Sequence, residues 1–166
     1  MIRTIGKSRY ILFAILLLFT SFSTAGTDLH WLRDNRCAEC HGHAADFSRQ
    51  FLQISDGQLQ GAHHTRNLKL FLRNHYAPAG EVEAIYAMLL AQVTTAPRFK
   101  AECSNCHDSA SQFNRDSIIV KNGDLVSRKS GESVREFMQT HRRLKQDDIE
   151  FFMNLLARVA GEVNLK

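Results

Sequence analysis

One spacing constrains this chain more than any other. Cys37-Ala38-Glu39-Cys40-His41 returns as Cys103-Ser104-Asn105-Cys106-His107, an offset of 66 residues. Applied along the chain, the same offset sets Phe47 on Phe113, Arg49 on Arg115, Gly57 on Gly123 and Leu59 on Leu125. Phe71 then meets Phe137, and His75 meets His141. Leu89, Leu90, Ala91 and Val93 meet Leu155, Leu156, Ala157 and Val159, and no gap is needed from Cys37 to Val93. Self-similarity at a fixed period marks one small structural unit used more than once. Thr94-Thr95-Ala96-Pro97 reads as the junction. The expected division is a leader over 1–25, a first unit over 26–95 and a second over 96–166.

The leader is read from its layout. Arg3, Lys7 and Arg9 precede an unbroken apolar run from Ile11 to Phe19, and Ser23-Thr24-Ala25 offers small residues for cleavage. That pattern is a secretory signal peptide. An uncleaved N-terminal membrane anchor is the alternative, but the run is about half of the ~20 residues that span a bilayer. With cleavage after Ala25, the formal charge of +4 loses the leader's three cations and falls to +1. The basic balance therefore belongs mainly to the leader. No nucleic-acid partner is expected.

Local signals are mostly helical. Ser133-Val134-Arg135-Glu136 is a capping-box pattern, with a helix running on to about His141. Asp147 and Asp148 open another, and Ile149, Phe152, Met153, Leu156 and Val159 keep the 3–4 spacing of one helical face. The first unit repeats this over Leu68–His75 and Glu81–Val93. Asp56-Gly57 and Asn122-Gly123 are turn dipeptides. The second lies between Ile118-Ile119-Val120 and Leu125-Val126, where a short hairpin is expected. No other sheet is.

Cys-x-x-Cys-His is the attachment pattern of c-type haem. Two thiols one helical turn apart reach the two vinyl groups on one porphyrin edge, and the adjacent His binds iron from the proximal side. Cys37, Cys40, Cys103 and Cys106 are thus the candidate covalent attachment points for two haem c groups, and His41 and His107 the proximal ligands. The two motifs use all four cysteines of the chain. Zinc sites pair such motifs at ~15–20 residues, whereas 62 residues separate Cys40 from Cys103. A thioredoxin-like pair wants a βαβ context. Two structural disulfides would leave His41 and His107 unexplained. Each unit is only about 70 residues long, the size at which a lone core is marginal, and a haem would supply the missing interior.

The repeat filters the distal ligand. Of the eight histidines, only His41/His107 and His75/His141 are matched; Met88 faces Asn154, Met138 faces Leu72 and Met153 faces Ala87. His75 and His141 are therefore the distal candidates. His63-His64 is the rival at the first site; otherwise His30, His43, His63 and His64 read as solvated. Phe47/Phe113 and Phe71/Phe137 read as haem-packing aromatics. Arg49/Arg115 suit either a propionate or a plain surface role. Trp31 and Leu32 read as cover for the haem edge. Lys129, Ser130 and Arg142 stand where the first unit has His63, His64 and Tyr76, so the two cations would raise the second potential if close to its iron.

At these residues the chain resembles the dihaem class I-like cytochromes c of Gram-negative bacteria, over nearly all of 26–166. The resemblance implies an all-α fold of two small tandem cytochrome c-like haem-binding helical units after a signal peptide. It implies a periplasmic one-electron carrier whose partners are redox proteins in the periplasm or at the membrane, with no small-molecule substrate. One departure stands out. Familiar mono-haem members bring a distal Met, and no Met recurs here, so bis-His ligation and lower potentials are expected. A dihaem peroxidase-type enzyme and a haem sensor for small ligands are the alternatives. The enzyme would need an open iron position, which matched distal histidines would fill, whereas in the sensor His75 or His141 would dissociate to admit the ligand.

Overall fold

The computed structural model describes residues 27–61, 67–75, 77, 79–141 and 144–164. The first unit begins with α1 (Leu29–Arg36), started by Asp28, whose carboxylate accepts from the Trp31 amide at 2.8 Å. Then come α2 (Ala38–His41), α3 (Ala44–Phe51), the strands β1 (Leu52–Ser55) and β2 (Gln58–Gly61), and α4 (Leu68–Asn74). A turn of 3₁₀ helix over Ala79–Glu81 leads into α5 (Val82–Thr94). The second unit has α6 (Arg98–Glu102), α7 (Ala110–Ser117), β3 (Ile118–Lys121), β4 (Asp124–Ser127), α8 (Val134–Thr140) and α9 (Gln146–Val163).

The offset of 66 carries α3 onto α7, β1 onto β3, β2 onto β4 and α4 onto α8 without a shift at either end. It carries α5 inside the longer α9. The caps explain the helix starts. Asn67, Ser109 and Ser133 each accept a hydrogen bond from the backbone N–H three residues on, satisfying a donor that the helix itself leaves open. Asp147 and Asp148 lie in the first turn of α9 as expected.

The all-α expectation needs correction. The chain is mostly helical, but each unit also holds an antiparallel two-stranded hairpin. The hairpin at Asn122-Gly123 was expected; the one at Asp56-Gly57 was not. Both turn on two residues with positive φ: Asp56 at 51° and Gly57 at 71°, Asn122 at 53° and Gly123 at 87°. That is the signature of a type I′ turn, whose twist suits paired strands. Ser55 pairs with Gln58, and Lys121 with Asp124. Each hairpin contributes matched anchors to its unit: Leu52 and Leu59 in the first, Ile118 and Leu125 in the second, all buried.

Two apolar clusters result, one per unit. Leu29, Leu32, Leu52, Leu59, Leu68, Ile85, Met88 and Leu89 form the first. The second is built on Phe99, Ile118, Leu125, Val134, Met138 and the inner face of α9 from Ile149 to Val163. Polar contacts join the units. Arg115 donates through Nε and Nη2 to the two Asp28 oxygens at 2.7 and 3.1 Å. The His30 ring and the Glu162 carboxylate meet at 2.7 Å in a buried position, with α1 lying against α9. Lys100 reaches Asp46 at 3.2 Å on the exposed surface.

Candidate functional site

Each Cys-x-x-Cys-His segment starts where a helix stops. The Cys37 amide still bonds to the Arg33 carbonyl at 3.0 Å, and the Cys103 amide to Phe99 at 2.9 Å. One turn follows in both. His41 N–H reaches the Cys37 carbonyl at 2.9 Å and Cys40 reaches it at 3.2 Å; His107 and Cys106 reach the Cys103 carbonyl at 3.0 and 3.1 Å. This winding brings residues i and i+3 to one side of the chain. Cys40 and Cys106 are exposed, Cys37 and Cys103 half-buried, and no disulfide joins the four. Gly42 closes the first turn at φ 63°.

The matched histidines come together. His41 and His75 have ring centres 5.9 Å apart with planes at 71°. His107 and His141 stand 6.4 Å apart at 59°. Two metal–imidazole bonds of about 2 Å each, plus the distance from each nitrogen to its ring centre, give roughly 6 Å between two imidazoles on one metal. Among the described residues, no group of three or more His, Cys, Asp or Glu side chains is arranged to hold a metal ion. A porphyrin supplies four nitrogens of its own, so two protein ligands suffice, and a pair of histidines is the donor set it needs. The residues present fit the group.

Aromatic neighbours recur as well. Phe47 lies edge-on to His41 at 4.8 Å, and Phe113 is tilted against His107 at 4.5 Å. Phe71 stacks on His75 at 4.7 Å and 26°, and Phe137 on His141 at 4.8 Å and 25°. Phe71 and Phe137 are nevertheless 44% and 54% exposed, an apolar surface beside each histidine pair that a flat hydrophobic group would cover.

Electrostatics separates the two sites. Burial, then the charge of Arg33, then that of His75 hold the His41 imidazole below its ordinary pKa. That favours the neutral ring, the form that binds a metal. Arg33 is itself buried, with Nη1 and Nη2 lacking any hydrogen-bond partner. Its guanidinium carbon sits 5.6 Å from the centre of the Phe47 ring. Burial pushes the Arg33 pKa down, against the charges of Cys37 and Asp34.

The sequence reading missed Arg33 because its counterpart at the 66-residue offset is Phe99, so the repeat offered no match. It also misjudged His30, which is buried against Glu162 instead of solvated. His43 is exposed, as expected. Arg115 is taken up by Asp28, and Arg49 bonds the Ala45 carbonyl at 3.1 Å. Leu32 is buried in the first cluster, whereas Trp31 is 56% exposed. Met88 and Met138 fill the two cores, and Met153 packs against the second. Lys129 is exposed. His63, His64, Tyr76 and Arg142 lie outside the described residues. A cleft of about 310 Å³ lies between the units, lined among others by His30, Asp34, Lys100, Asp108 and Arg158. None of the four paired histidines lines it. Comparison of the chain with protein-family models, with curated proteins and with solved structures finds no match.

Proposed function

We propose that this chain is an exported dihaem c-type cytochrome that carries single electrons between redox proteins of the periplasm or its bounding membrane. The observation that carries the proposal is the doubled pairing of His41 with His75 and His107 with His141, each at a separation that suits one metal. In this reading Cys37 and Cys40 hold one porphyrin through thioethers, and Cys103 and Cys106 hold the other. His41 and His107 are the proximal ligands, and His75 and His141 the distal ones. Bound haem supplies a one-electron couple, Fe(III)/Fe(II), without proton or group transfer.

The chain's own residues do the rest. Two histidines per iron leave no open position for a substrate, which separates a carrier from a peroxidase or a ligand sensor. Phe47 and Phe113 pack the proximal rings in place, and Phe71 and Phe137 orient the distal ones. Fixed ligand rings keep the rearrangement between oxidation states small, which a fast carrier requires. Among the described residues no helix is long and apolar enough to cross a membrane. The two sites share their histidine pairs and aromatic neighbours, which supports one role used twice.

The test begins with the purified chain. Its intact mass should equal residues 26–166 plus two haems. Low-temperature electron paramagnetic resonance should show two low-spin bis-His ferric centres. Carbon monoxide added to the reduced protein should leave the spectrum unchanged on mixing. A rapid and complete spectral change would mean open irons, and the carrier reading would fall.

A further inference from the structure

Arg33 is 4% exposed, lies on α1 four residues before Cys37, and has no described carboxylate on either Nη group. It faces the ring of Phe47, which in turn packs against His41. A cation shut away from water keeps most of its field, because little solvent is left to screen it. The nearest acid along the chain, Asp34, is exposed, so solvent weakens its opposing effect. In the second unit the same position holds Phe99, a neutral ring 6.4 Å from His107. The neighbouring Arg98 is compensated by Glu102 at 2.6 Å and Asp148 at 2.7 Å. Among the described residues, one of two otherwise matched sites therefore has a buried cation whose Nη groups meet no hydrogen-bonding acceptor.

We infer that Arg33 sets the reduction potential of the first site above that of the second, so that a lone electron rests in the first unit. The inference rests on the proposal that both units bind haem. Oxidation adds a positive charge to the iron, and a buried cation nearby opposes it. The two sites, alike in ligands, become unequal in potential, and electron transfer between them acquires a direction. This reverses the order expected from Lys129 and Arg142.

The experiment is a redox titration of the two-haem holoprotein as wild type, Arg33→Lys and Arg33→Met. The wild type should show two separated potentials. Arg33→Met should shift the higher one down towards the lower and leave the lower one in place, while Arg33→Lys keeps the separation. If Arg33→Met moves neither potential, or moves the lower one, the inference is wrong. Should that variant fail to accumulate, the wild type answers alone. In half-reduced protein the Phe47 ring protons should give diamagnetic nuclear magnetic resonance shifts and those of Phe113 paramagnetic ones, and the reverse would overturn the assignment. A chain that matures without covalent haem would remove the functional proposal itself, whereas two haems with potentials indifferent to Arg33 would remove only this inference.

Discussion

At the scale of single residues, the chain separates what its two halves share from what makes them differ. His75 and His141 were legible because they recur at equal distance from two cysteine motifs, and the structure brings each to the histidine of its motif. Arg33 and His30 were not, since an offset of 66 sets them against Phe99 and Ala96. A filter built on repetition finds shared chemistry and is blind to residues that distinguish or join the copies. The histidines proposed as distal ligands give the first prediction. His75→Met and His141→Met should each raise one potential, within the ~0.8 V range that axial ligands span, and leave the other nearly in place. Spectroelectrochemical titration of both variants checks this; if neither potential moves, the distal assignment fails. A second prediction follows from Asp28. Burial raises its carboxyl pKa, but the hydrogen bond from Arg115, the Trp31 amide and the charges of Arg115 and His30 outweigh burial and hold it below its ordinary value. A depressed carboxyl stabilises the fold above the ordinary value of about 3.9. That contribution is lost as pH falls through the lowered one. Asp28→Asn should therefore lower stability at neutral pH and flatten the acid limb of a pH-denaturation curve.

Among the elements, the hairpins show where local signals were and were not strong enough. Ile118-Ile119-Val120 is β-branched throughout, so Asn122-Gly123 announced its own strands. Leu52-Gln53-Ile54-Ser55 and Gln58-Leu59-Gln60 are short and less β-branched, and the same turn chemistry at Asp56-Gly57 was not enough to declare a strand pair. Tertiary anchoring decides there, because Leu59 is almost wholly buried and its amide donates to the Tyr86 hydroxyl at 2.8 Å. The turn itself demands residues that tolerate positive φ. Gly57→Val and Gly123→Val should each cost about 1–2 kcal/mol, the penalty for a side chain in the left-handed region. Leu59→Ala should cost about 2–5 kcal/mol through lost burial and the cavity left behind. Chemical denaturation followed by circular dichroism reads both, and a Gly57→Val variant of unchanged midpoint would contradict the type I′ turn.

For the whole molecule, the division into two apolar clusters means that each unit has its own interior, with the pairs Asp28–Arg115 and His30–Glu162 joining the two. Replacing Cys103 and Cys106 with Ala should give a protein with one haem and a loosened second unit, read as loss of about half the Soret absorbance and part of the helical signal. Retention of full helix content would show that the second core stands without its porphyrin. The clasp between α1 and α9 is local in space but not in sequence, since His30 and Glu162 are 132 residues apart. His30→Ala should cost about 1–3 kcal/mol, the usual result of leaving a buried partner unmatched. It also has a consequence in time. A chain that emerges N-terminus first presents Asp28, His30 and the first cysteine pair long before Arg115 and Glu162 exist to receive them. Closing so long a loop is slow compared with forming local turns. Until the final helix arrives, α1 has no second unit to dock on, and His30 has no carboxylate to meet. Order of arrival, written into the connectivity, makes the joining of α1 to α9 a late event.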